Sequence, residues 1–295
     1  MNKRLLLIIN PVAGKLKSKN ALFDIVKVFS DNDFDVSVRL TKRRGHGTEI
    51  VEKEHMNYDL LVCVGGDGTL NEVVLGLIRC GAKTPVGYIP AGSTNDFANS
   101  IGLSQNIKKA AENIAKGKEY HLDIGAFKDV IFTYIASFGA FTSVSYSTPQ
   151  ATKNAIGHAA YVLEGIKDLS TIKPVHIKVE ADGVHYEDDY IFGGIANSTS
   201  VGGIVKLKKE MVDMSDGLFE VILIKNPKNL NHLNEIVRSL MTSDYKNNKS
   251  VDYFNASQIK ISTEERLPFT VDGEYADGSG SITIRNLKQR LTIIK

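Results

Sequence analysis

The chain has no tryptophan, two cysteines and seven prolines in 295 residues, and no apolar run approaches the roughly 20 residues needed to cross a bilayer. Cys63, inside an apolar run, and Cys80, near the end of a helical pattern, make neither a zinc spacing nor a disulfide framework. Such cysteine usage fits a reducing cytoplasm. The opening run Leu5–Ile9 is too short for a signal peptide and stops at Pro11. A net charge of +2 is too near neutral to argue for nucleic acid, and no basic-aromatic interleaving suggests single strands. No G-x-S-x-G elbow occurs, nor the Lys-Ser/Thr closure of a Walker loop, nor the glycine spacing of a dinucleotide fingerprint. What remains is a chain with 42% hydrophobic and 24% charged residues, an ordinary globular composition long enough for two domains.

Leu60–Val74 is the most informative stretch. Leu60–Val64 reads as a fully buried strand that ends at Gly65 and Gly66. A helix follows, and Thr69 with Glu72 has the spacing of a capping box. A glycine turn between a buried strand and a helix start points backbone N–H groups outward, which suits a phosphate. Gly66 and Gly68 permit close approach of a ligand. Asp67 is the odd member, since a carboxylate repels phosphates unless a metal or proton intervenes. A plain glycine turn with a capping Asp is the other reading of the loop.

The surrounding chain repeats the pattern. Strands are expected over Leu5–Asn10, Phe34–Leu40 and Val86–Ile89, each followed by a polar or glycine loop and a helical pattern. Those loops are Asn10–Gly14 with Lys15, Lys17 and Lys19 beyond it, Thr41–Arg44 with His46, and Pro90–Asp96. Lys42, Arg43, Arg44 and His46 can face phosphates or simply solvent. Strand–helix alternation predicts a doubly wound α/β nucleotide domain with a parallel sheet over residues 1–125. From Tyr120 strand-like runs dominate, over Leu122–Phe127, Ile131–Phe138, Val175–Glu180, Tyr190–Ala196, Phe219–Ile224, Ser257–Ile261 and Leu267–Val271. Hairpin signals fall at Ala181–Val184 and Tyr275–Ser279, and helical stretches at Ala155–Leu169 and Leu230–Met241. An antiparallel β-sandwich domain over 126–287 is expected. The last strand, Leu291–Ile294 within 288–295, is open to two placements, in the second domain or back in the first.

Gly65–Glu72 resembles the GGDGT loop of the diacylglycerol kinase catalytic domain family, shared more distantly with NAD kinases and phosphofructokinases. The continuation Asn71–Val74 leans toward the lipid kinases. Asn10, Pro11, Val12, Ala13 and Gly14 look like the family's first loop. Pro90–Phe97 looks like its proline-glycine-threonine-x-asparagine-aspartate loop, with Ser93 where threonine is usual. Met214–Phe219 and Val271–Glu274 resemble its two second-domain motifs, so the motifs recur in family order over nearly the whole chain.

The resemblance implies an ATP-dependent lipid kinase that phosphorylates diacylglycerol to phosphatidic acid in a cleft between the domains. Nucleotide contacts would come from Asn10, Pro11, Val12, Ala13, Gly14, Thr41, Gly66, Asp67, Gly68, Thr69, Leu70, Asn71, Glu72, Ser93 and Glu274. Asp67 and Asp96 could organise Mg²⁺ directly or through water. By the resemblance, Asp213, Asp216 and the Leu218 carbonyl would hold a largely structural Mg²⁺, and Asp272 would be the general base, with Glu274 an alternative. Ser215–Gly217 and Asp272–Gly273 are also good turn signals without any metal or base. The lipid would be met at the inner face of the membrane from the cytoplasm, past Phe138–Phe141 and Ala155–Leu169. Asp272→Asn is expected to stop turnover and leave the fold intact. A homodimer is among the options, since such domains often pair. The alternatives are a kinase for another lipid (sphingoid base, ceramide, undecaprenol, phosphatidylglycerol), an NAD kinase, or a non-catalytic nucleotide-binding regulator.

Overall fold

The computed structural model describes residues 2–13, 21–139, 173–201, 205–245 and 247–295. Gly14, Lys15, Lys17, Lys19, Phe141 and the helical stretch Ala155–Leu169 lie outside the described residues. Residues 1–123 and 289–295 form one compact unit and 124–288 another.

The first unit runs β1 (Lys3–Ile9), α1 (Leu22–Ser30), β2 (Phe34–Leu40), α2 (His46–Glu54), β3 (Leu60–Gly65), α3 (Asp67–Arg79), β4 (Val86–Pro90), α4 (Asp96–Ser100) and α5 (Ile107–Lys116). β1 pairs in parallel with β2 and β3, and β3 with β4. Ile293 and Ile294 add a further parallel pairing with Val86 and Gly87, so the chain's last strand returns to this unit. Ile9 lies opposite both Leu40 and Val64, and Gly65 opposite Pro90, so the strands end together at one edge. Leu5, Leu7, Ile9, Val62 and Val64 pack on one face against Ile25, Phe29, Ala111 and Ile114 of α1 and α5. Leu6, Ile8, Leu61 and Cys63 point to the other face and are equally buried, where α3 packs on β3. A sheet covered on both faces needs apolar residues at every position, which explains the near-continuous hydrophobic runs.

The second unit contains β5 (Glu119–Phe127, beginning in the first unit), β6 (Val130–Phe132), β7 (Ile135–Gly139), β8 (Val175–Ala181), β9 (Val184–Ala196), β10 (Phe219–Lys225), α6 (Leu230–Thr242), β11 (Val251–Ala256), β12 (Gln258–Thr263), β13 (Pro268–Val271), β14 (Glu274–Asp277) and β15 (Gly280–Ile294). Its strands run in the order β14-β13-β7-β9-β8-β12-β15, with β10 joining β9 to β11. These pairings are antiparallel. One core gathers Phe127, Phe132, Phe138, Phe219 and Phe269, with Phe132 stacked on Phe219 at 5.3 Å. Phe138 is therefore core rather than the lining of a lipid entrance. A second core lies under α6, where Ile236 and Leu240 meet Ile135, Phe192 and Ile222.

One strand differs from the sequence reading. Ile131–Phe138 is not one strand but β6 and β7, because the amides of Thr133, Tyr134 and Ile135 turn to the carboxylate of Asp272. β13 and β14 form a hairpin that turns at Asp272 and Gly273, with Val271 opposite Glu274, and β14 ends at Asp277 within the Tyr275–Ser279 turn signal before β15 starts at Gly280.

α2 and α3 pack closely at Gly76, where an added Cβ would lie 2.7 Å from Val51 Cβ and 3.0 Å from the Thr48 carbonyl oxygen. Alanine would favour the helix by up to about 1 kcal/mol, but overpacking costs about 1–3 kcal/mol. Gly76→Ala is expected to lower the unfolding free energy by about 1 kcal/mol or more in urea titration. A stabilised variant would show that the helices separate without penalty.

Candidate active site

The C-terminal edge of the parallel sheet brings the first-unit motifs together. After β1, Asn10 forms a turn in which its Oδ1 accepts from Val12 N at 3.1 Å and its carbonyl from Ala13 N at 3.3 Å. Its Nδ2 donates to Thr69 Oγ1 at 3.2 Å, joining the first loop to α3. Thr41 enters through its backbone, donating from N to the Ile9 carbonyl at 2.9 Å. Between β3 and α3 the chain turns at Gly66, the N-cap, which carries no side-chain cap bond. The first amides of a helix have no partner within it, so those of Gly66, Asp67 and Gly68 are the donors this edge offers to an anion. A Cβ added at Gly68 would meet nothing within 4 Å, whereas one at Gly92 would sit 2.6 Å from Gly66 Cα. The β3–α3 and β4–α4 loops therefore touch backbone to backbone at Gly66 and Gly92, and the space at Gly68 stays open.

The acidic residues of this edge face inward. Asp67 Oδ2 accepts from Asp96 N at 2.9 Å and Oδ1 from Phe97 N at 3.3 Å, so Asp67 caps α4. Burial pushes its carboxyl above the usual range, against the pull of those amides. The expected capping box between Thr69 and Glu72 is absent. Thr69 is buried with its hydroxyl on Asn10, while Glu72 accepts from Gly45 N at 2.7 Å and Gly47 N at 2.8 Å. Glu72 thus braces the glycine turn that starts α2. Leu70 is fully buried core, so it can offer a ligand only backbone, and Asn71 is half-buried. Ser93 and Thr94 are exposed. In the basic run, Arg43 pairs with Glu49 at 2.8 Å, and His46 Nδ1 accepts from Lys42 N at 3.1 Å.

Two residues of the edge were given no role from the sequence, Asn95 appearing only within the Pro90–Phe97 motif and Tyr88 not at all. Asn95, left-handed at φ 51°, accepts from Gly92 N at 2.9 Å and donates to Gln105 Oε1 at 2.9 Å. Tyr88, fully buried in β4, aims its hydroxyl at the Gly65 carbonyl (3.3 Å), Asn95 Oδ1 (3.4 Å) and Asp67 Oδ1 (3.5 Å). A tyrosine within an otherwise aliphatic strand was the available signal, since a buried phenol needs a partner.

In the second unit Asp272 sits in a tight turn at φ 45°, followed by Gly273 at φ 88°. Its Oδ2 accepts from Thr133 N at 2.6 Å and Thr133 Oγ1 at 2.9 Å, and its Oδ1 from Ile135 N at 3.0 Å and Tyr134 N at 3.2 Å. Burial nevertheless dominates and pushes the carboxyl up to about 6. Asp182 provides an internal comparison, with φ 45° before Gly183 and with Ser257 N, Ser257 Oγ and Gln258 N donating to its carboxylate. Burial works upward on Asp182 too, but at that exposed site the amides outweigh it and the carboxyl falls below its usual range. The two turns share a geometry and differ in solvent, so only Asp272 has a proton affinity near neutrality. Glu274 is exposed at the start of β14.

Asp213 and Asp216 form the expected turn. Asp213 Oδ1 accepts from Ser215 N at 3.0 Å and Ser215 Oγ at 2.7 Å, and Asp216 Oδ1 from Leu218 N at 2.8 Å. Both carboxylates are exposed. Among the described residues no group of three or more His, Cys, Asp or Glu gathers as a metal site. Two carboxylates and the Leu218 carbonyl are nonetheless the hard oxygen donors that Mg²⁺ takes alongside its waters. The donor chemistry fits that ion.

Residues 4–127 match the family model "Diacylglycerol kinase catalytic domain". Residues 135–295 match "YegS C-terminal NAD kinase beta sandwich-like domain". A diacylglycerol kinase of Bacillus subtilis (strain 168) is 30% identical over 275 residues, covering 92% of this chain and 90% of that protein. One from Staphylococcus carnosus (strain TM300) is 31% identical over 294 residues, covering 99% and 95%. The crystal structure of a provisionally named diacylglycerol kinase from Bacillus anthracis str. Sterne has a TM-score of 0.81 at 26% identity, covering 99% of this chain and 95% of that one.

The four donors around Asp272 revise the expectation that Asp272→Asn leaves the fold intact. An amide nitrogen in place of Oδ2 would face the Thr133 amide, donor against donor. Losing hydrogen bonds to a charged acceptor costs about 1.5–3 kcal/mol, so Asp272→Asn is expected to lose about 2 kcal/mol in urea unfolding. Asp182→Asn, in the same turn but exposed, is expected to lose less. Equal losses would show that burial does not distinguish the two sites.

Proposed function

Because the chain belongs to the diacylglycerol kinase catalytic domain family, we propose that it transfers the γ-phosphate of ATP to the free hydroxyl of diacylglycerol, giving phosphatidic acid and ADP. Family membership makes the chain a phosphotransferase of the lipid kinase group. The observation that carries this reading is the first turn of α3, which no side chain caps and which has open space at Gly68, against the Gly92 turn that touches it at Gly66.

In this reading the Gly66–Gly68 amides hold the phosphates with the help of the helix dipole. Asn10, Pro11, Val12, Ala13, Thr41 and Glu274 supply further nucleotide contacts. Thr69, Leu70, Asn71 and Glu72 act by forming and bracing the helix start. Phosphoryl transfer makes little covalent demand on a protein beyond positioning, charge stabilisation and removal of one proton. The lipid oxygen attacks the γ-phosphorus, the bond from that phosphorus to the β-phosphate oxygen breaks, and the hydroxyl proton passes to the Asp272 carboxylate. A proton affinity near 6 suits that task, because the group is ionised at neutral pH yet still basic. Asp213, Asp216 and the Leu218 carbonyl would hold Mg²⁺. When bound, that ion supplies positive charge and fixes the loop. The reaction is placed at the cytoplasmic surface of the membrane, where the lipid's headgroup hydroxyl is accessible.

The reading is tested by ATP consumption with Mg²⁺, comparing diacylglycerol in mixed micelles with sphingosine, ceramide, undecaprenol, phosphatidylglycerol and NAD. Turnover confined to diacylglycerol is expected. Turnover confined to another lipid would replace the substrate, and turnover confined to NAD would overturn the lipid reading.

Gly68→Ala separates binding from folding. The new methyl meets no protein atom within 4 Å, and alanine favours a helix by about 0.5–1 kcal/mol over glycine. Thermal stability is expected to hold or rise while kcat/KM for ATP falls at least tenfold. Unchanged kcat/KM would mean that no phosphate occupies that space.

The pH dependence tests the base without a mutation. The folded-state affinity of Asp272 is raised from its usual value to about 6, so below that pH the carboxylate is protonated and cannot accept the lipid's proton. kcat/KM is expected to fall about tenfold per pH unit below about 6. For stability the sign is the opposite one for a salt-bridged Asp. The folded state binds the proton more tightly than the unfolded, so this residue's contribution is favourable at low pH and is lost as pH rises through about 6. A rate flat down to pH 5 would remove Asp272 from the base role.

A further inference from the structure

The hydroxyl of Tyr88 is not needed to fill space or to satisfy its neighbours. Phenylalanine would occupy the same volume beside Phe97, whose ring centroid lies 6.2 Å away. The Gly65 carbonyl already accepts from Ala91 N at 2.7 Å, and Asp67 already accepts from the Asp96 and Phe97 amides. Yet three acceptors surround one phenolic proton at 3.3–3.5 Å. They come from the end of β3, the first residue of α3 and the N-cap of α4. Those are the two loops that meet at Gly66 and Gly92.

We propose that Tyr88 is a positioning residue for the nucleotide, its hydroxyl setting the spacing between the first turn of α3 and the Gly92–Thr94 turn. This rests on the reading of that edge as the ATP phosphate site. Asn95 transmits the restraint. Its side chain accepts from Gly92 N at 2.9 Å, donates to Gly92 O at 3.3 Å and to Gln105 Oε1 at 2.9 Å, and lies 3.4 Å from the phenol. Gln105 in turn donates to Asn99 Oδ1 at 2.8 Å, fastening the outer end of the chain of bonds to α4. Loops held this way before ATP arrives lose less conformational freedom on binding, which is the origin of affinity by preorganisation. Without the hydroxyl the loops remain packed but are no longer registered.

The test is calorimetric binding of a non-hydrolysable ATP analogue with Mg²⁺ to wild type, Tyr88→Phe and Gln105→Met, alongside KM for ATP and for lipid and the thermal midpoint. Tyr88→Phe is expected to weaken analogue binding and raise KM for ATP about tenfold, within the range for a lost bond among buried acceptors. KM for lipid should stay within twofold. Gln105→Met, at an exposed position, should shift nucleotide binding in the same direction by about threefold with the thermal midpoint unchanged. Analogue binding within twofold of wild type in a folded Tyr88→Phe would overturn the proposal. Should Tyr88→Phe lose its fold, unaltered binding by Gln105→Met would overturn it instead. Failure of the wild type to bind the analogue would overturn the kinase reading and this proposal with it, whereas normal wild-type binding with indifferent variants sinks the positioning role alone.

Discussion

Two backbone segments meet at Gly66 and Gly92, where a Cβ on Gly92 would lie 2.6 Å from Gly66 Cα and one on Gly66 3.3 Å from Gly92 Cα, and the architecture of the candidate phosphate edge follows from that contact. Parallel strands place their C-terminal ends together, and each then opens a helix whose first amides need acceptors. At α4 the acceptor is the carboxylate of Asp67, reaching across from the neighbouring loop. At the glycine turn preceding α2 it is Glu72, reaching from within α3. At α3 no side chain caps the first turn. Of the helix starts after β2, β3 and β4, two are satisfied by carboxylates and that of α3 is left without a side-chain cap.

The second unit uses the same device on a turn. An aspartate in a left-handed position, one residue past the end of its strand, receives amides from the start of the antiparallel strand beside it, at Asp182 and again at Asp272. The hydrogen bonds alone would depress both carboxyls. Only burial separates them, which makes Asp272 a group whose charge is a matter of choice near neutral pH and Asp182 one whose charge is not. Identical local chemistry thus yields a structural brace at one site and a candidate base at the other.

The parallel sheet was readable because strands covered on both faces have nowhere to hide a polar residue, as Leu5–Ile9 and Leu60–Val64 illustrate. The order of motifs carried the family. Tertiary partners were not readable. Ile131–Phe138 has the composition of one strand, and nothing local reveals that Thr133, Tyr134 and Ile135 donate to a residue 137–139 positions away. Thr69 and Glu72 have the spacing of a capping box, but their side chains find Asn10 and Gly45–Gly47 instead, contacts that exist only once the loops are assembled. Val251–Ala256 went unread as a strand because it is only partly buried, so Asp252 and Asn255 interrupt its apolar pattern.

The sequence left Asp67 as a paradox, a carboxylate in a loop shaped for phosphates. Its geometry resolves the conflict without a metal. Repulsion between a carboxylate and a phosphate depends on where the charge points and what compensates it. Asp67 directs its oxygens at the Asp96 and Phe97 amides and Glu72 directs its own at Gly45 and Gly47. Each negative charge is thereby held by two N–H dipoles on the protein side of the loop. The amides that remain outward, at Gly66 to Gly68, belong to a helix whose positive end faces the open space. An acidic motif and a candidate anion site are compatible because the acids hold the scaffold and leave the backbone amides of the turn to a ligand.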